Sequence, residues 1–271
     1  MALICTSYFG CDPGHVEPYA ADGHLEYVRC MDCGLIWRSP GSLEISKEYN
    51  GDYFESKEYA RRRPHKIRKS GWLLDIARSV QPAIQNMLEV GCSLGNTLEA
   101  ARLRSIGHLG IDISRYAVDY CRSCGLHAEL KTLDELLDEG KKFDLIFMQH
   151  VLEHFRDPFE TVKKCRELLL SGGILLVVVP NANYCQAEKK RGKHRFYSFS
   201  GVGTEHYVYF TYQTIGSLLA KQGFIVVTKN YPIFLRYGKS VEFFLNRIFR
   251  RMLSLLHSDQ ELIVVAKKNG G

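Results

Sequence analysis

The chain reads as an α/β protein built on a doubly wound, mostly parallel sheet. Short and nearly continuous apolar runs of strand length alternate with helical stretches, the pattern of a parallel sheet covered on both faces. One run, Met87 to Val90, passes into a glycine turn, Gly91 to Gly95, then a helical pattern, then a second apolar run that stops at Asp112. Strand, glycine loop, helix, strand and acid, in that order, describe a nucleoside cofactor held at the carboxyl end of the sheet. With 271 residues, 45% of them hydrophobic and 24% charged, the chain is long enough for one large α/β domain with attachments.

The first ~40 residues differ from the rest. They hold Cys5, Cys11, Cys30 and Cys33, with prolines and glycines and little helical period. Arg29 to Ile36 reads as a C-x-x-C-G knuckle on a hairpin, with Cys5 and Cys11 as its partner pair. Four thiolates would give a closed, structural zinc site, and so small a module needs such a staple. The alternative is plain thiols on a hairpin. The domain limits are therefore expected at 1–42 and 43–271, with an insertion at about 235–258.

Tyr49, Tyr53, Phe54 and Tyr59 precede a helical stretch expected from about Lys66 to Val80. In the glycine turn, the spacing argues against a dinucleotide. The positions of the second and third glycines of Gly-x-Gly-x-x-Gly hold Ser93 and Asn96, so a pyrophosphate at the helix start is disfavoured. Cys121 and Cys124 lie at the end of the helix after Asp112, just before Gly125, and read as buried or half-buried thiols. A strand over Leu126 to Leu130 leads to the turn Lys131-Thr132-Leu133. Phe143 to Met148 reads as a buried strand ending at Gln149-His150, followed by Val151-Leu152-Glu153-His154. Asp157-Pro158 opens a helix over Phe159 to Leu170, and Ser171-Gly172-Gly173 leads into a strand over Ile174 to Val179. The segment Gly201 to Phe210 precedes a helix over Thr211 to Lys221. Phe224 to Lys229 and Glu261 to Lys267 read as the last two strands. Between them, Tyr237 to His257 carries Phe244, Ile248, Phe249, Met252, Leu255 and Leu256 at helical spacing with Arg247, Arg250 and Arg251 beside them. Packing on its own domain, a homodimer surface and a membrane-surface helix stand as alternatives for that segment.

The run E-V-G-C-S-L-G over Glu89 to Gly95 resembles motif I of the class I S-adenosylmethionine (SAM) methyltransferases. Asp112 matches that family's ribose acid, F-D-x-I-x-x-x-x-V-L-E-H-x-x-D-P over Phe143 to Pro158 its fourth strand and loop, and the L-x-x-G-G-x-L-x-x-x-x-P-N ending also looks like the family. The resemblance covers roughly residues 45 to 268. It implies a seven-stranded sheet whose last pair is antiparallel, with SAM as cofactor. It carries cofactor contacts to Glu89, Gly91, Cys92, Ser93, Gly95, Asp112, Ile113, Thr132, Leu133, Gln149 and His150, and a helical lid in which Tyr53 or Tyr59 lines the pocket. The N-terminal segment is similar to the zinc-binding module that precedes some sugar C-methyltransferases. There the first pair is C-x-x-C, whereas this chain has Tyr8 at the earlier position, so His15 or His24 is an alternative ligand to Cys5. The segment E-H-x-x-Y-F at Glu205 to Phe210 resembles one that lies over the substrate in the same enzymes. It points to His206 as a general base with Glu205 as its orienting carboxylate, or else to a lid residue. His150 is either a second candidate base or a wall of the SAM pocket, and Glu153 and His154 share that ambiguity, with holding the loop by hydrogen bonds as their other reading.

The net charge of +6 is uneven. Arg61 to Lys69 and Lys189 to Arg195 form basic clusters, read as solvated surface or as a rim for an anionic acceptor such as a nucleotide-sugar or lipid-linked sugar. An RNA substrate is the alternative. Against nucleic acid, the fourth strand ends Q-H-V-L-E-H where many base-modifying enzymes carry N-P-P-Y. No apolar run approaches the ~18 residues of a membrane span, and the start lacks a signal-like pattern, so a cytoplasmic enzyme with reduced or metal-bound cysteines is expected. Taken together, the sequence predicts methyl transfer from SAM to an oxygen or carbon of a small molecule, a sugar or a secondary metabolite.

Overall fold

A computed structural model describes residues 4–22, 25–39, 57–183, 206–229 and 261–270. His24, Tyr53, Glu205, the cluster at 189–195 and the segment 237–257 lie outside the described residues.

The larger layer is a seven-stranded sheet in the order β10-β11-β8-β7-β4-β5-β6. Its strands are β4 (Asn86–Val90), β5 (Gly107–Asp112), β6 (Ala128–Leu130), β7 (Phe143–Gln149), β8 (Leu169–Pro180), β10 (Phe224–Lys229) and β11 (Glu261–Lys268). Pairings among β6, β5, β4, β7 and β8 are parallel, and β11 is antiparallel to both β8 and β10. The chain runs from β4 outward to β6, then returns to place β7 on the other side of β4. That reversal opens a crevice at the carboxyl ends of β4 and β7.

Alternate residues of each central strand feed opposite faces. Leu88, Val90, Ile146, Met148, Leu175 and Val177 join one core cluster. Met87, Leu145, Phe147, Ile174 and Leu176 join the other. Burial on both faces explains why these strands read as continuous apolar runs. The second face is covered by α2 (Lys57–Val80) and α3 (Asn96–Arg102), through Leu73, Leu74, Ala77, Ala100 and Ala101. The first is covered by α5 (Leu133–Asp138), α6 (Pro158–Leu168) and α7 (Tyr212–Lys221).

Local signals account for the helix starts. Asp157 accepts the amide of Glu160 and precedes Pro158. Thr132 and Glu135 form a capping box, as do Thr211 and Thr214. Ser114 caps α4 (Arg115–Ser123). Helix α2 begins at Lys57, well before the expected Lys66, and carries Pro64 inside it. Losing one intrahelical hydrogen bond at a proline is tolerated in a helix whose later turns are anchored in the core. Strand β6 is shorter than expected, because the Leu126 amide closes the end of α4 on the Cys121 carbonyl at 3.0 Å. Strand β8 is longer, with helix α6 handing over directly at Leu169.

The smaller layer is a four-stranded sheet in the order β1-β2-β3-β9. Strands β1 (Val16–Asp22), β2 (Leu25–Cys30) and β3 (Ile36–Arg38) come from the N-terminal segment, which opens with α1 (Ile4–Phe9). Strand β9 (Val208–Tyr209) comes from the far end of the chain. Cys5, Cys11, Cys30, Leu35 and Trp37 share one core cluster with the first face of the large sheet.

Candidate active site

The glycine turn leaves β4 at the crevice. Gly91 has φ +69° and Gly95 φ +68°, the left-handed region that glycine adopts without steric cost. A Cβ on Gly91 would lie 2.6 Å from Cγ2 of Val151, and one on Gly95 2.6 Å from Leu126 and 2.9 Å from the Cys121 Sγ. Ser93 also sits in the left-handed region, at φ +49°, where motif I has its middle glycine. Its strain is offset by its own amide, which donates to Asp112 Oδ2 at 2.8 Å. Asp112 Oδ1 accepts the Ser114 amide at 2.9 Å. Burial raises the Asp112 pKa, against the opposing effect of these amides. The carboxylate at the end of β5 thus fixes the turn and remains at the mouth of the crevice. Ile113 beside it is 73% exposed.

Glu89 faces inward from β4, and burial pushes its carboxyl well above the usual range. Its Oε2 has no partner among the described residues. Helix α2 clamps the loop from above. Arg63 donates to the Leu94 carbonyl at 2.6 Å, and the Ser70 and Thr97 hydroxyls are 3.0 Å apart. Cys92 is buried, with its side chain packed beside Cys121 and Leu98. Thr132 is engaged in its capping box and Leu133 is buried in the core, so their side chains serve the helix start.

The carboxyl end of β7 supplies the second wall. His150 follows Gln149 with φ +55°, an uncommon state for a non-glycine residue. Its Nε2 lies 2.9 Å from Glu261 Oε1 and its Nδ1 3.4 Å from Glu153 Oε1. Lys69 of α2 reaches the same Glu261 carboxylate at 2.5 Å. Burial alone would lower the His150 pKa, but the two carboxylates outweigh it and raise it to about 9. The imidazole is therefore a held cation at neutral pH, hydrogen-bonded to Glu261 through Nε2 and facing Glu153 through Nδ1 as an ion pair. Glu261 stays ionised despite burial, because Lys69 and His150 hold its carboxyl well below the usual range.

His206 is the opposite case. Its side chain is 6% exposed, and Nε2 stands 4.0 Å from Glu153 Oε1. Burial lowers its pKa to about 4, with Glu153 opposing and His154 and His150 adding to the fall. His206 is thus neutral, and its Nδ1 and both Glu153 oxygens lack hydrogen-bond partners among the described residues. Donor atoms of Glu153, His154 and His206 lie within 4.8 Å of one another, and the His154 and His206 rings meet edge to face at 4.8 Å. Val151, which packs on Gly91, stands two residues before Glu153, so this cluster adjoins the glycine turn.

The four N-terminal sulfurs also converge, all within 4.8 Å of one another. Four thiolates around a zinc ion at Zn–S ~2.3 Å stand roughly 3.8 Å apart, so the donor set fits with a small contraction. Burial and the neighbouring sulfurs push Cys33 up to about 12, while hydrogen bonds lower Cys30. Thiols that suppress one another's ionisation are what a cation would relieve. His15 pairs with Asp32 at 2.6 Å and lies outside the sulfur cluster, whereas Cys5 lies within it.

The fold thus brings Glu89, Gly91, Cys92, Ser93, Gly95 and Asp112 to one crevice, with His150 and His206 on its β7 side. The sequence marked Glu261 only as a strand start, and read Arg63 and Lys69 only as part of the basic cluster Arg61 to Lys69, surface or acceptor rim.

Comparison with known proteins gives the family. A family model described as a methyltransferase domain matches residues 58–229. The ubiquinone biosynthesis O-methyltransferase of Chelativorans sp. is 30% identical over 101 residues, 35% of this chain and 40% of that protein. That of Coxiella burnetii is 25% identical over 128 residues, 45% of this chain and 50% of that protein. The chain thus spans about half the length, or less, of these curated relatives. Among solved structures, a SAM-dependent methyltransferase from Archaeoglobus fulgidus superposes with a TM-score of 0.54 at 16% identity, covering 79% of this chain and 100% of that one. A plantazolicin methyltransferase in complex with SAH gives 0.54 at 15% identity, covering 80% and 93%. At such identities the likeness is one of fold. The chain belongs to the methyltransferase-domain family and has the class I SAM-dependent methyltransferase fold.

Proposed function

We propose that this member of the methyltransferase-domain family transfers a methyl group from SAM to an oxygen or carbon of a small-molecule acceptor. The relatives named as O-methyltransferases favour oxygen, and a sugar or secondary metabolite is the acceptor class. SAM supplies an electrophilic methyl on sulfonium. The chain supplies alignment and proton removal. Asp112 would accept the ribose hydroxyls, the left-handed turn at Gly91 and Ser93 admits the nucleoside close to the backbone, and Glu89 faces the methionine side with an unpartnered oxygen.

The observation that carries the reading is the contrast between the two histidines. His150 is hydrogen-bonded to Glu261 through Nε2, faces Glu153 through Nδ1, and is held charged by the two carboxylates. His206 is neutral and buried, with an unpartnered Nδ1 and its Nε2 4.0 Å from Glu153 Oε1. We assign His206 as the general base, with Glu153 to stabilise the imidazolium once it has accepted a proton. Glu205 stays a proposed partner from its place in the motif. Structural zinc at Cys5, Cys11, Cys30 and Cys33 completes the reading. The test is a labelled-SAM screen of nucleotide-sugars, lipid fractions and small phenols, followed by kinetics of His206→Ala. Loss of a general base costs ~10²–10⁴-fold in turnover. Near-normal turnover at saturating acceptor would place the base elsewhere.

A further inference from the structure

The segment that carries His206 into β9 is not supported by the large sheet alone. Residues 206–210 run between two partners. On one side, the Tyr207 amide donates to the Glu153 carbonyl at 2.8 Å, and the Ala182 amide donates to the Phe210 carbonyl at 2.9 Å. On the other side stands the N-terminal hairpin. Ile36 pairs with Tyr209 and Trp37 with Val208 in antiparallel register. The Arg38 amide donates to the Tyr207 carbonyl at 2.8 Å. Tyr27 of β2 reaches the His206 carbonyl at 3.5 Å and meets the Tyr209 ring edge to face at 5.2 Å.

Strand β9 has two residues and β3 has three. Pieces this short do not hold a register by themselves. What fixes β3 is the knuckle behind it. The Cys30 amide donates to the Leu35 carbonyl at 2.9 Å, the Gly34 amide donates to the Cys30 carbonyl at 2.9 Å, and the Cys30 and Cys33 sulfurs meet those of Cys5 and Cys11. Cys5 is anchored in turn by its own helix. Tyr8 stacks on Phe159 at 4.1 Å and donates to Asp157, the cap of α6, at 2.9 Å. The cofactor turn is held by other groups, namely Arg63, Ser70 and the β5 backbone.

We infer that the N-terminal cysteine module is a positioning device for the acceptor side of the site: through β3 and Tyr27 it holds the His206 strand against Glu153. Tyr27 and Arg38 are then positioning residues, which act through His206. The inference rests on the reading of His206 as the acceptor-side base, but its test reads the placement of His206 directly. A failure of that reading appears only in the kinetics of His206→Ala.

The experiment uses the full chain with zinc bound, zinc removed by chelation, and the variant Arg38→Pro, which keeps every cysteine but deletes the amide that meets Tyr207. Three quantities are read without turnover: SAH affinity by calorimetry, amide exchange over 206–210, and the ring titration of His206 by NMR, assigned with His206→Gln. Glu153, His154, His150 and Tyr209 all face or adjoin that ring. With the strand held, His206 titrates near 4, and once released it moves toward 6.5. Zinc removal and Arg38→Pro are each expected to cause that move and to expose the 206–210 amides, with SAH affinity kept within about two-fold. An unmoved titration with retained amide protection in both states overturns the inference. So does loss of SAH binding in both, since the module would then support the whole fold and not the acceptor side.

Discussion

Asp112→Asn perturbs the cofactor side at one atom. In the native chain the two carboxylate oxygens accept the amides of Ser93 at 2.8 Å and Ser114 at 2.9 Å. The asparagine keeps one acceptor and turns an NH₂ toward the other amide, donor against donor. One charge-assisted hydrogen bond is lost, worth ~1.5–3 kcal/mol. If the Ser93 bond is the one lost, the left-handed backbone of that residue loses its amide's charge-assisted partner. The ribose contact proposed for the same carboxylate weakens as well. At about 1.4 kcal/mol per decade, SAH affinity measured by calorimetry should fall roughly 10- to 100-fold. Asp144 offers a control of the same chemistry, since its Oδ2 accepts the amides of Gln85 and Asn86 at 3.0 Å each. It sits at the amino end of β7, the far end of the sheet. Asp144→Asn should lower the melting temperature to a similar extent and leave SAH affinity alone. Equal affinity in Asp112→Asn and the native chain would refute the placement of the cofactor at this end of the sheet.

Gly91→Ala forces a left-handed alanine, costing ~1–2 kcal/mol, and drives Val151 from its seat 2.6 Å away; denaturation and SAH titration should both register it. For His206, a folded pKa of about 4 against an unfolded 6.5 means stability is fully present above pH 6.5 and is lost as pH falls toward 4. At ~1.4 kcal/mol per pKa unit the full loss is about 3 kcal/mol, and His206→Ala should flatten that limb of the urea-denaturation profile. Glu261→Gln removes one of the two carboxylates on His150, so the His150 ring, followed by NMR, should titrate below its native value near 9. Metal analysis should find about one zinc per chain, lost on Cys30→Ser with Cys33→Ser; a metal-free native protein would remove the staple from the account.

The class of fold and the cofactor turn were legible in the amino-acid order because they are local. A strand buried on both faces is a continuous apolar run, as over Phe143 to Met148. A left-handed turn asks for glycine, as at Gly91 and Gly95, and a helix start asks for a cap, as at Asp157 and Thr211. Boundaries drifted where tertiary packing overrode local preference, as at Pro64 within α2 and at Leu169, where helix passes to strand without a turn. The states of the histidines were decided only by the tertiary structure. His150 and His206 are the same residue type, and each follows or precedes ordinary motif letters. One is charged because Glu261, 111 residues away in sequence, meets its Nε2. The other is neutral because a strand pairing across the chain buries it beside a carboxylate already committed to His150. The role of the N-terminal hairpin was likewise out of reach, since β3 and β9 lie some 170 residues apart. Burial and charge are sums over neighbours, and neighbours of this kind exist only once the chain has folded.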